Sequence, residues 1–235
     1  MKDDAAKKLL DNVFQQSFDK DRFKQFIVEL FNEFTFRESS YAVWKEYAEY
    51  IESYETLGTY NDSDRKKIEV LIVKLRRASS RDRARTMQRN FVAKFLKNGN
   101  KEAALVAFYG DDLSNWRFSY VKMEYSREIS DSGKLLFKEE LTPAKRYSFL
   151  VGEQEPNHTC RRQFLDLILE EQKNPLLQDI ESCFSVEKVT EEFFEEYKKL
   201  FLELKESLEN ALEKNPIGKT EFQEKNISTV DFSKK

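Results

Sequence analysis

The chain is poor in the residues that mark the special classes of protein. Six Gly and four Pro among 235 residues exclude a low-complexity or linker-like polymer. Cys160 and Cys183 are the only cysteines. They make no disulfide framework and match no metal or redox spacing. His158 is the only histidine; with Cys160 two residues on it supplies at most half a ligand set, and a loop or capping role is expected. No apolar run approaches the roughly 20 residues of a membrane span. Met1 is followed by charged and small residues, unlike the apolar region of a signal peptide. A cytoplasmic protein with no membrane contact is the expectation. Gly-rich phosphate loops and the GxSxG elbow are also missing, so nothing points to a stand-alone enzyme.

What the chain has is apolar bulk and charge. It is 40% hydrophobic, with 20 Phe and 10 Tyr, enough to bury a sizeable core. Its length suits one large domain or two small ones. Charged residues make up 35%, as several amphipathic helices require. The net charge is −3, but the charge is unevenly spread.

The stretch from Lys66 to Lys97 concentrates the basic residues. From Arg65 to Lys101 there are thirteen Lys and Arg against Glu69 and Asp82. Ile68 to Val73 is a short β-branched run and predicts a strand. Ser79 and Ser80 stand where an N-cap is wanted. Ala84, Met87, Phe91 and Phe95 then recur at helical spacing. Arg81, Arg85 and Arg89 flank them at i, i+4, i+8. Like charges so spaced repel, so a negative partner is expected. A phosphate backbone is one such partner; acids elsewhere in the chain are the other. Arg76 and Arg77, at the strand end, join the three helical arginines as candidate DNA contacts.

The rest of the chain reads in order. Residues 3–16 and 20–34 predict two helices, the second rich in Phe. Residues 34–37 suggest a short strand and 41–51 a short helix. Tyr54 to Tyr60 and residues 67–76 predict a hairpin around Asn61-Asp62-Ser63-Asp64. Gly99 suits the position just past the basic helix. Ala103 to Tyr109 predicts a buried central strand. Trp116 to Tyr125, Leu135 to Glu140 and Arg146 to Val151 predict three more strands, the first two joined at Ser130-Asp131-Ser132-Gly133. Helices follow: one capped by Thr159, one entered through Asn174-Pro175, and a long one from Ser185 or Thr190. From Glu170 to Lys214 there are thirteen acids against six lysines.

A sheet with a basic helix after its second strand invites comparison with PD-(D/E)xK nucleases. Those hold Mg²⁺ on an Asp and on the Glu of a Glu-x-Lys. Asp62 or Asp64 stands before the strand here, but Lys74-Leu75-Arg76 occupies its end. Glu69 is at the wrong spacing. The expectation is a degenerate, non-cleaving module or an unrelated sheet, with no metal and no catalytic residue.

Several stretches together resemble the N-terminal region of type IIG-like restriction–modification proteins with an adenine-specific (N6) DNA methyltransferase core. They are residues 83–96 (RARTMQRNFVAKFL), 103–112 (AALVAFYGDD), 115–125 (NWRFSYVKMEY), 141–152 (LTPAKRYSFLVG), 155–164 (EPNHTCRRQF) and 184–201 (FSVEKVTEEFFEEYKKLF). The tail at 225–235 is similar to a lead-in to that core. The resemblance implies a bacterial or phage defence protein acting on DNA, with the methyltransferase core in cis as partner. It also implies S-adenosylmethionine as cofactor of that core. This chain departs from the family at the methyl-transfer motifs. Asn215-Pro216-Ile217-Gly218 and Asn174-Pro175-Leu176-Leu177 lack the second Pro and the aromatic residue, so no cofactor is expected here.

The expected fold is α+β: leading helices (1–53), a mixed central sheet with the basic helix (54–152), and a helical extension (153–235). The expected function is an accessory, DNA-contacting N-terminal module. An interaction scaffold docking its basic helix on an acidic protein surface is the alternative, and a Mg²⁺ nuclease with non-standard acids is the third reading.

Overall fold

The computed structural model describes residues 3–77, 79, 84–129, 135–141, 147–169 and 174–214. The fold is α+β with a mixed sheet. Its elements are α1 (Asp3–Phe14), α2 (Lys20–Leu30), β1 (Thr35–Tyr41), β2 (Ile51–Asn61), β3 (Lys67–Leu75), α3 (Arg85–Gly99), β4 (Ala103–Tyr109), β5 (Asn115–Ile129), β6 (Leu135–Leu141), β7 (Ser148–Gly152), α4 (His158–Leu169), α5 (Leu177–Cys183) and α6 (Val186–Lys214). Compact packing divides the chain into Met1–Val186 and Glu187–Lys235.

In the first unit the sheet order is β1-β2-β3-β4-β5-β7, with β5 running on into a ribbon with β6. All neighbours are antiparallel except β3 and β4. A parallel pair needs a crossover, and α3 provides it. The expected hairpin and the expected buried strand are both present as β2-β3 and β4.

Both faces of the sheet are covered, which explains the near-continuous apolar runs of β3 and β4. One face carries Ile68, Val70, Ile72, Ala103, Leu105 and Ala107 and packs with α1, α2, α4 and α5. At its centre Phe14 meets Phe26, Trp116, Phe118 and Phe164 at ring separations of 5.1 to 6.2 Å. The other face carries Leu71, Val73, Leu75, Ala104, Val106 and Phe108 and packs with α3. Adjacent residues of one strand thus enter different cores, as a period of two dictates.

Several boundaries differ from expectation. The 41–51 segment holds one 3-10 turn, Lys45–Tyr47, because β1 runs to Tyr41 and β2 starts at Ile51. Helix α2 stops at Leu30, and Phe31 leaves it to stack on Tyr60 at 4.2 Å. Helix α3 starts at Arg85 with Ala84 at the N-cap; of the two expected caps, Ser79 lies six residues ahead of Arg85 and does not cap it, and Ser80 lies outside the described residues. Asn100, at φ 49°, takes the left-handed position expected for Gly99; Asn is the residue besides Gly that tolerates it. Helix α5 begins beyond Asn174-Pro175: Leu176 is its N-cap, and Asp179 Oδ2 accepts the Leu176 N–H at 2.7 Å. Thr159 sits inside α4, which starts at His158.

Gly58 marks where β2 is irregular against β3. Its φ is +151°, and a Cβ there would lie 2.1 Å from the Thr35 carbonyl oxygen. Only glycine allows β1 to come this close. No helix among the described residues is long and apolar enough to cross a membrane.

Candidate nucleic-acid interface

The candidate site forms at the carboxyl ends of the parallel strands β3 and β4. Ligands of open α/β sheets gather at such ends. Arg76 and Arg77 follow directly from β3 and are exposed. Arg76 is anchored: its N–H donates to Tyr50 O at 2.9 Å and its Nε to Ala48 O at 2.7 Å. The amino end of α3 opens at the same end of the sheet, with Arg85 as its first residue. Arg81 lies outside the described residues.

Helix α3 is turned about one position from the expected stripe. Gln88, Phe91, Val92, Ala93 and Leu96 are its buried residues; Met87 and Phe95 are only partly buried, and Ala84 stands at the N-cap. Arg85 and Arg89 therefore lie on the line that continues to Val92 and Leu96, both fully buried. They are half-buried rather than on a solvated flank. The sheet strand beneath them is β5.

Strand β5 adds a third arginine. Trp116, Phe118 and Tyr120 enter the core on the helix-rich side. Strict alternation sends Arg117 and Ser119 to the α3 side, and Arg117 lies beside Phe108 in the β4-β5 register. Arg117 is only 3% exposed, and its Nη1 donates to Ser148 Oγ on β7 at 3.0 Å. Arg85, Gln88, Arg89, Arg117, Ser119 and Tyr147 thus line one narrow cleft. The enclosed space, about 10 Å³, admits about one water-sized group.

The cleft gathers positive charge. Three guanidiniums from two elements converge there. The first turn of α3 carries no acid, so Arg85 adds positive charge to the positive end of the helix dipole. Arg89 spends its Nε and Nη2 on the neutral Asn90 Oδ1, at 3.3 and 3.2 Å. An oxyanion at the mouth would meet fork donors and the helix end together.

Not all of the basic stretch contributes. Lys94 pairs with Glu46 and lies 4.9 Å over the Trp44 ring. Lys101 pairs with the buried Glu69. Lys74 reaches Glu52 at 2.7 Å and Asp111 at 3.5 Å. These lysines pair with acids of their own chain and do not line the cleft.

The residues weighed for metal chemistry do not come together. Asp62 is buried in the β2-β3 turn, and both its oxygens accept backbone N–H groups. Asp64 is exposed in the same turn, 3.9 Å from Lys66 Nζ. That turn is separated from Lys74-Leu75-Arg76 by the length of β3, about 30 Å for nine residues. Among the described residues no three His, Cys, Asp or Glu side chains are grouped to hold a metal ion. Cys160 is buried, and burial pushes its thiol well above the ordinary range. His158 is exposed on the first turn of α4, so the pair shares no site.

Sequence reasoning missed Gln88, Arg117, Ser119 and Tyr147. The signal for Arg117 and Ser119 was present in the alternation Trp116-Arg117-Phe118-Ser119-Tyr120. Nothing local to Tyr147 or Gln88 marks them as cleft residues. No family model, no curated protein and no solved structure matches this chain.

Proposed function

We propose that this chain is an accessory, DNA-contacting module of a restriction–modification protein, acting in the cytoplasm beside an adenine-specific methyltransferase core in cis. The observation that supports DNA contact is the convergence of Arg85, Arg89 and Arg117 at the amino end of α3, with Arg76 and Arg77 at the same end of the sheet. Guanidinium forks match phosphate oxygens. Phosphate contacts position a protein on DNA and read no sequence. S-adenosylmethionine belongs to the core and not to this chain, which carries neither methyl-transfer motif.

The test is the salt dependence of duplex binding. Replacing Arg76, Arg77, Arg85 and Arg89 by Ala should lower the log–log salt slope by up to about four, roughly one for each phosphate left unneutralised. A variant with unchanged slope and a lower melting temperature would make the arginines structural.

A second reading has the same cleft docking on an acidic protein surface. The pairing of Lys74, Lys94 and Lys101 with carboxylates favours it, since basic residues of this stretch already bind carboxylates within the chain. An acidic competitor protein that displaces no DNA, with DNA binding intact, would decide for the first reading.

A further inference from the structure

A cavity of about 390 Å³ opens at the carboxyl end of α3, the far end of that helix from the arginine cleft. Its described lining belongs wholly to Met1–Val186. Cavities of this size take small ligands on aromatic walls with a few polar groups. Tyr41, Trp44, Tyr54 and Phe95 form the walls here. Tyr41 and Tyr54 stack at 5.7 Å and 18°, and the Phe95 ring stands at 68° to the first and 85° to the second. A flat ring can lie on one wall and meet the other edge-on. Tyr41 is 47% exposed, so its wall is open to solvent.

The polar side of the cavity is one carboxyl and one amine. Glu69 is only 3% exposed, yet it lines the cavity. Both side-chain hydrogen bonds that it accepts end on Oε2, from Thr59 Oγ1 at 2.7 Å and from Lys101 Nζ. Among the described residues nothing donates to its Oε1. Lys101 also lines the cavity, and its Nζ donates to Thr59 Oγ1 at 3.0 Å. A lysine ammonium has a third N–H to give. A buried acceptor and a donor thus stand side by side against aromatic walls.

We propose that this cavity binds a nucleobase, a flat heteroaromatic ring whose edge carries an N–H donor beside a ring acceptor. The ring stacks on the aromatic walls. Its N–H donates to Glu69 Oε1, and the adjacent ring nitrogen accepts from Lys101 Nζ. Other ligand classes fit less well. A purely apolar ligand would set carbon against the unbonded carboxyl oxygen. A quaternary ammonium matches aromatic walls, but it would lie beside Lys101 and has no N–H for Glu69. A free nucleoside and an unpaired base of a single strand offer the same edge; in a duplex that edge is paired or stacked away. Duplex contact through the arginine cleft is not needed for this binding.

Trp44 fluorescence in the full chain tests the proposal. Trp116, the other tryptophan, is 1% exposed in the core on the opposite face of the sheet and adds a constant background. Adenosine and single-stranded oligo-dA should change the Trp44 emission. Purine riboside, which lacks the amino group, should bind about tenfold more weakly, the loss of one hydrogen bond to a carboxylate. Tyr41→Ala should weaken adenosine about tenfold through lost stacking. Tighter binding of oligo-dA than of adenosine assigns a base held in a strand, and equal binding assigns the free nucleoside. No response to either at millimolar concentration would overturn the proposal. So would purine riboside binding as well as adenosine, or tetramethylammonium acting in place of adenosine. These comparisons use the wild-type chain, so they decide even where Tyr41→Ala does not fold. Unchanged adenosine affinity in a folded Tyr41→Ala variant would overturn it as well.

Discussion

Leu177 and Asp62, 115 residues apart in the chain, are joined by one buried hydrogen bond: the Leu177 N–H donates to Asp62 Oδ2 at 3.0 Å. The other carboxylate oxygen accepts the Lys66 N–H at 2.8 Å. One acid thus closes the β2-β3 turn and ties the start of α5 to it. Asp62→Ala would orphan both N–H groups, one of them buried. The expected cost is about 2–3 kcal/mol in denaturant unfolding, with Asp62→Asn milder because the amide oxygen still accepts one bond. A variant as stable as wild type would show that water replaces the carboxylate at no cost.

Glu69 and Lys101 form the second long-range tie. Glu69 is buried on β3, and it accepts from Thr59 Oγ1 at 2.7 Å as well as from Lys101. Lys101→Met leaves a buried carboxylate without its cation and should cost about 3 kcal/mol. Adding Glu69→Gln to that variant removes the stranded charge and should recover roughly half of the loss. Equal instability of the single and double variants in urea melts would contradict this.

Tyr60 predicts a loss of stability at alkaline pH. Burial, followed by the neighbouring Asp62, pushes its phenol from the ordinary 10.0 up to about 12. The neutral phenol also donates to Pro175 O at 3.1 Å. The raised value means that folding favours the protonated phenol. Its contribution is therefore fully present below about pH 10 and fades as pH rises through about 12, by about 2 kcal/mol in all. Tyr60→Phe should be about 1 kcal/mol less stable at pH 7, having lost one hydrogen bond. The gap between the two proteins should close and then reverse as pH rises from about 10 through about 12, because the Phe variant has no phenol to ionise, as read by unfolding at each pH.

The isolated chain should transfer no methyl group from S-adenosylmethionine to DNA. Of the two motif echoes, Asn215-Pro216 lies outside the described residues. Pro175 of the other is buried, and its carbonyl accepts the Tyr60 hydroxyl. Labelled S-adenosylmethionine with duplex DNA is the direct check, and label in the DNA would remove the basis for an accessory role.

Supercoiled plasmid should likewise stay intact with Mg²⁺ or Mn²⁺. Asp62 has both oxygens engaged by backbone amides, and Asp64 lies a strand's length from Lys74. Nicking that survives Asp62→Asn but disappears with Glu52→Gln or Asp111→Asn would shift the chemistry to the acids around Lys74.

The sequence by itself determined the element order wherever periodicity was strong. Ile68 to Val73 and Ala103 to Tyr109 are too apolar for anything but buried strands, and β3 and β4 are the innermost pair of the sheet. The turn at Asn61 to Asp64 is local chemistry and needed no partner. Tertiary structure decided what local pattern leaves degenerate. Ala84, Met87, Phe91 and Phe95 make a good stripe, yet packing on β4 and β5 selected Gln88, Val92 and Leu96, one position round the helix. That rotation carried Arg85 and Arg89 from a solvated flank to a cleft. Arg117 joined them because β5 pairs antiparallel with β4, and no local signal sets that register. A strand's alternation says which residues share a face, but only the packed sheet says which face meets α3.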